Sequence, residues 1–186
     1  LIPCRESTSF KTFIKSQVSA SIFFSLSFVK FLTYHPLSVM STETIVLTGA
    51  TGFCGFAILQ EALQYDYEIR IVVRSAAKAD TLRNNPCFKS LTRGTPRCSF
   101  YVVPDLSVDG ALDEASQGAD YMIHTASPLP FTNLALSAEE QYNQMVEPAI
   151  KNTISALESA KRSRSVKRVV FTSSCAIFIT PELLCE

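Results

Sequence analysis

The stretch Thr44-Ile45-Val46-Leu47-Thr48-Gly49-Ala50-Thr51-Gly52-Phe53-Cys54-Gly55 decides the fold. A short β-branched run leads straight into three glycines spaced three apart, and a helix-like segment follows. Glycines let the backbone turn tightly and approach phosphates without a Cβ in the way. A helix starting there aims free N–H groups and its positive dipole end at an anion. Strand, glycine turn and helix in that order suit a dinucleotide pyrophosphate. Gly49, Thr51, Gly52, Phe53 and Gly55 form the candidate loop.

Working outward, apolar periodicity predicts alternating strands and helices. A helix over 53–64 is expected to pack through Ala57, Ile58, Ala62 and Leu63. A strand over 68–74 and a short helix over 76–84 follow. Asn84, Asn85, Pro86, Gly94 and Pro96 read as a loop. A strand over 99–103, a short helix over 109–117 and a strand over 120–125 come next. A loop over 127–133 and a long helix over 138–159 precede a fifth strand over 166–172. Tyr142, Met145, Ile150, Ile154 and Leu157 are the candidate inner positions of that helix, and Pro148 is expected to kink or divide it. The pattern implies an α/β fold, a doubly wound parallel sheet with right-handed crossovers.

The 186 residues suffice for one domain of ordinary size, and 17 basic residues balance 17 acidic ones. That balance gives no argument for nucleic acid as a partner. The six cysteines include no C-x-x-C pair, and two histidines make a poor zinc set, so no metal site is expected. Reduced thiols and a cytoplasmic location are the reading for such a chain. Residues 1–39 differ from the rest. They carry Arg5, Lys11, Lys15 and Lys30 against a single acid, Glu6, and are rich in serine and phenylalanine. Their apolar cluster is short and interrupted by Lys30, which argues against a membrane span. They read either as sequence translated upstream of a start at Met40 or as a cleaved targeting segment. Residues 40–186 then form the dinucleotide-binding domain.

Five motifs stand in register: T-G-A-T-G-F-x-G at 48–55, V-V-R-S-x-x-K at 72–78, D-L at 105–106, H-T-A-S-P at 124–128 and V-F-T-S-S at 170–174. Together they resemble an extended short-chain dehydrogenase/reductase of Rossmann type, in the branch of dihydroflavonol reductase, cinnamoyl-CoA reductase and fungal carbonyl or methylglyoxal reductases. Arg74 ends the second strand, where NAD-dependent folds place an acid for the ribose 2′-hydroxyl and NADP-dependent ones an arginine for the 2′-phosphate. No carboxylate occupies 71–75, and Lys78 adds a second cation. The expected cofactor is NADP(H). The resemblance further implies that Asp105 and Leu106 lie at the adenine, and that Thr125, Ala126 and Ser127 lie at the nicotinamide-side ribose and phosphates. His124, inside the fourth strand, reads as a packed, hydrogen-bonded histidine. Cys54 and Cys175 read as small packing residues, and Phe131 as a residue of a substrate pocket or of local packing.

Relatives of this kind reduce a small-molecule carbonyl with a hydride, a proton-donating tyrosine, a lysine four residues after it, and a serine that orients the carbonyl. The resemblance gives Ser174 the serine role. None of the six tyrosines has a lysine four residues on. The chain is therefore expected to be the amino-terminal part of a reductase, incomplete at its C-terminus and inactive as it stands. Two other functions stay open: a non-catalytic NADP(H)-binding module, and a relative of the nucleotide-sugar epimerases and dehydratases.

Overall fold

The structure is a computed structural model that describes residues 42–92, 97–128 and 137–174. The chain divides into two units, one of Thr42–Thr172 and one of Leu1–Ser41 with Ser173–Glu186. The first holds a five-stranded parallel sheet. Its elements in chain order are β1 (Thr44–Thr48), α1 (Phe53–Ala62), β2 (Glu68–Val73), α2 (Ala76–Arg83), α3 (Pro86–Leu91), β3 (Cys98–Val102), α4 (Asp113–Ser116), β4 (Tyr121–His124), α5 (Ala138–Gln141), a π-helical turn (Tyr142–Val146), α6 (Glu147–Ser163) and β5 (Arg168–Phe171).

Strand order is β3-β2-β1-β4-β5. The chain steps one way from β1 to β2 and β3, then returns to the other side of β1 for β4 and β5. Right-handed crossovers therefore send the helices to opposite faces, giving the doubly wound Rossmann arrangement expected from the sequence. Register aligns Thr48 with Val72 on β2 and with His124 on β4. Alternation sends Val46, Val72 and Met122 to one face, where Leu112, Ala115, Ala119, Ala156 and Ala160 complete a buried cluster with α4 and α6. Ile45, Leu47, Ile69, Ile71 and Ile123 point to the other face and are equally buried. At the lower end of the sheet, Asp120 accepts from the Thr44 amide at 2.8 Å and pairs with Lys167 at 2.8 Å.

Several elements differ from the sequence reading. Helix α1 stops at Ala62, and its buried face is Gly55, Leu59 and Ala62, continued by Leu63, while Ala57 is exposed. Gly55 is on that face because a Cβ there would lie 2.1 Å from the Gly49 carbonyl oxygen. The stretch read as a loop from Asn84 contains α3. Asn85 caps it, its side-chain oxygen accepting from the Cys87 and Phe88 amides, and Pro86 opens its first turn. Helix α4 has four residues rather than nine, since Gly110 at φ +77° interrupts the segment before it.

The largest difference lies in the long helix. It is divided before Pro148, as expected, and the division is a π turn. Proline offers no N–H and its ring crowds the carbonyl four residues back, so the turn before it widens. Its inner face is Ser155, Ala156, Ser159 and Ala160, whereas Tyr142, Ile150, Ile154 and Leu157 are exposed and Met145 is half-buried. Small side chains bring the helix backbone close to the sheet, and the larger apolar ones are turned outward.

Candidate functional site

A parallel sheet that reverses its strand order opens a crevice beyond the carboxyl ends of its strands at the point of reversal. Here that point lies between β1 and β4. The crevice is built from the turn after β1 and the turn after β4, with the ends of β2 and β3 beside it.

The turn after β1 is held by the Gly52 amide donating to the Gly49 carbonyl at 2.9 Å. Gly49 has φ +76°, a conformation that costs an L side chain about 1–2 kcal/mol. A Cβ on Gly49 would also lie 2.3 Å from Thr125 Oγ1 and 2.8 Å from the Ala126 nitrogen. The two turns are thus in direct contact. Gly52 is the N-cap of α1 and has no side chain to cap it, and no acidic residue stands in the first turn. The first N–H groups of α1 are left facing outward without a protein acceptor from the cap position, which suits an anion. Phe53 is 74% exposed, and Thr51, Gly52 and Cys54 are exposed beside it. Cys54 is therefore a free thiol at the surface rather than a packing residue.

Thr48 joins the two turns. Its carbonyl accepts from Thr125 Oγ1 at 2.6 Å, its hydroxyl oxygen accepts from the Ala126 amide at 3.2 Å, and the same oxygen lies 3.1 Å from His124 Nδ1. His124 is buried, with its ring edge-to-face against Phe171 at 5.4 Å. Burial drives its pKa down to about 4, against a weaker opposing hydrogen bond to the Ala126 backbone. The imidazole is neutral at physiological pH. Thr125 and Ala126 are half-buried and Ser127 is exposed.

Arg74 follows β2 directly. Register sets it two residues beyond the partner of Thr48, level with the glycine turn. Arg74 and Lys78 are both exposed, and neither side chain is bonded to another described residue. Ser75 caps α2 by accepting from the Lys78 amide at 3.3 Å, which fixes where the lysine leaves the helix. Asp105 lies past β3. Its Oδ1 accepts from the Ser107 amide at 2.8 Å and the Ser107 hydroxyl at 2.6 Å, and those bonds hold its carboxyl below the usual carboxylate range. Leu106 is half-buried against the cluster under α6. Ser173 and Ser174 are exposed and belong to the second unit. Phe131 and Cys175 lie outside the described residues.

The sequence profile of the NAD dependent epimerase/dehydratase family matches residues 45–182. The chain belongs to that family. It is 39% identical over 142 residues to the NAD-dependent epimerase/dehydratase ALT6 of Alternaria alternata, covering 75% of this chain and 39% of the relative. It is 38% identical over 148 residues to the ketoreductase CTB6 of Cercospora nicotianae, covering 78% and 40%. Among solved structures it is similar to the yeast methylglyoxal/isovaleraldehyde reductase Gre2 complexed with NADPH. That match has a TM-score of 0.59 at 32% identity, and covers 72% of this chain and 37% of that one. The chain spans about two-fifths of the length of these relatives.

The family therefore confirms the resemblance that the five motifs carried. Sequence reasoning missed the position of Thr48 between the two turns. Thr48 was legible as the last residue of a strand and the first of the glycine motif but not as a link between turns, because its partners lie at the end of β4 and in the turn after it, 76–78 residues away.

Proposed function

We propose that residues 40–186 are the NADP(H)-binding part of a carbonyl reductase. The observation that carries this reading is Arg74. It stands at the end of β2, level with the glycine turn and unpaired among the described residues, in a segment with no carboxylate from 71 to 75. A guanidinium there favours a 2′-phosphate, and Lys78 one helical turn away adds to the positive field. Gly49, Thr51, Gly52, Phe53 and Gly55 hold the pyrophosphate against the uncapped start of α1. Thr125, Ala126 and Ser127 bring backbone and small side chains to the nicotinamide-side ribose. Asp105 would accept from the adenine amine, and Leu106 would border the ring.

The bound cofactor would supply a hydride to an aldehyde or ketone carbon. Ser174 orients the carbonyl oxygen by donating its hydroxyl proton as a hydrogen bond. No tyrosine of this chain has a lysine four residues on to complete the proton-donating pair. The chain as it stands binds and orients, and it does not turn over. The ketoreductase and NADPH-bound reductase relatives support the carbonyl reading.

Titration of the full chain with NADPH and NADH, for wild type and Arg74→Ala, tests the assignment. NADPH is expected to bind about tenfold or more tightly than NADH, with the preference collapsing in the variant. Equal affinity for both cofactors in wild type, unaffected by the substitution, refutes it. Mixing NADPH with a reactive aldehyde is expected to consume no cofactor above the uncatalysed rate, and measurable turnover refutes the inactive reading.

A further inference from the structure

Among the described residues, the buried imidazole of His124 has no task in the reading above, and it sits directly beneath the crevice. His124 shares the sheet face of Thr48 and Phe171, and is in contact with both. Thr48 is 0% exposed, so its hydroxyl proton must find an acceptor inside the protein. The hydroxyl oxygen already accepts from the Ala126 amide. A hydroxyl has one proton and two lone pairs. The Thr48 hydroxyl is satisfied in both roles when that proton goes to an unprotonated Nδ1, which places the ring's own proton on Nε2. The opposite tautomer would direct Nδ1–H at the same oxygen and leave the Thr48 proton without an acceptor among the described residues. The Phe171 ring edge keeps the imidazole from swinging away toward β5, and the His124 carbonyl accepts from the Thr172 amide at 3.2 Å.

We propose that His124 is a positioning residue of the crevice: by accepting the Thr48 hydroxyl proton at Nδ1, it fixes the oxygen that receives the Ala126 amide, and so locks the turn after β4 against the glycine turn. The gap between those turns is narrow, since a single Cβ on Gly49 would meet both Thr125 and Ala126. A small rotation of the Thr48 hydroxyl would free the Ala126 amide and loosen that gap. The consequence for ligand affinity rests on the reading of the crevice as a dinucleotide site. The lock itself does not depend on that reading.

Three measurements on the full chain decide it. Nitrogen NMR of the wild type is expected to show His124 protonated on Nε2 alone at pH 7. In His124→Phe, which keeps an aromatic ring but has no acceptor, Ala126 amide exchange is expected to speed about tenfold or more relative to the Ile123 amide within the same strand. NADPH affinity should fall by about the same factor. In His124→Asn, which retains a short polar acceptor, both are expected to return most of the way to wild type, an outcome that a purely space-filling role would not give. Protonation on Nδ1 overturns the proposal, as does unchanged Ala126 exchange in His124→Phe. Should His124→Phe fail to fold, the tautomer and the His124→Asn exchange decide. Should wild type fail to bind NADPH, the crevice reading falls, while amide exchange still decides the lock.

Discussion

The three glycines of the loop are expected to fail in three different ways when each is replaced by alanine. At Gly55 an added Cβ would lie 2.1 Å from the Gly49 carbonyl oxygen, 2.5 Å from its carbon and 2.9 Å from the Ala50 nitrogen. All three are backbone atoms, so no side chain can swing aside, and α1 must move away from the turn by about 1 Å to restore ordinary contact. Overpacking costs about 1–3 kcal/mol, and three backbone contacts under 3 Å put this site at the upper end, about 3 kcal/mol, offset by about 1 kcal/mol of helix propensity gained on replacing glycine. A net loss of about 2 kcal/mol lowers the melting temperature of a domain of this size by about 6–10 °C. At Gly49 the left-handed conformation adds to the clash with no compensating gain, so the loss is larger. At Gly52 the nearest atom is the Gly49 carbonyl oxygen at 3.3 Å, and the backbone conformation, φ −89°, is open to alanine. Gly52→Ala is expected to cost about 0.5–1 kcal/mol of stability, since alanine is a poorer N-cap than glycine and its methyl crowds one carbonyl oxygen, and to weaken NADPH binding because the new methyl stands at the uncapped start of α1. Thermal melts by circular dichroism paired with cofactor titration separate the cases. A Gly55→Ala chain that melts with wild type, or a Gly52→Ala chain that melts as low as Gly55→Ala, refutes the reasoning.

Acid should weaken the fold through His124. Its folded pKa of about 4 lies below the ordinary 6.5, so the unfolded chain takes up the proton first. The contribution is complete above about pH 6.5 and is lost as pH falls toward 4, to a limit of about 3 kcal/mol. Urea midpoints at pH 7 and pH 4.5 should differ more in wild type than in His124→Asn, and parallel declines count against the assignment. Asn85→Ala removes the acceptor for two amides at the start of α3 and is expected to cost about 1 kcal/mol, read as a fall in melting temperature of about 3–5 °C. Asp120→Asn keeps the shape but weakens the bond to the Thr44 amide and the pair with Lys167, which is half exposed. A loss of about 1 kcal/mol is expected, reduced at high salt, and a salt-independent loss argues that the pair contributes nothing.

The extent to which the site was legible follows from what each residue depends on. Thr44–Thr48 matched its expected bounds because a buried strand bracketed by Glu43 and Gly49 has no competing local structure. Arg74 and Asp105 were readable as strand-end residues, and the fold rule for parallel sheets carries strand ends to one crevice. Helix α3 is hidden in the sequence because Asn-Pro is turn chemistry, although an N-cap followed by proline at the first helical position also opens a helix. The inner face of α6 escaped for a different reason. Two stripes with helical spacing run along it, and the more hydrophobic of the two is not the one that packs. The Thr48–His124–Ala126 contacts depend on cross-strand register, which no local pattern encodes.

The division of labour on α6 has an evolutionary consequence. Size, not polarity, is what the sheet constrains at Ser155, Ala156, Ser159 and Ala160. A drift from serine to alanine there is nearly silent, and one from alanine to leucine would lift the helix off the sheet. At Ile150, Ile154 and Leu157, which are exposed, the described residues of the same unit set no such size limit. Selection acting on this helix alone would therefore preserve its small positions and scatter its greasy ones, the reverse of what a hydrophobicity plot of the sequence suggests.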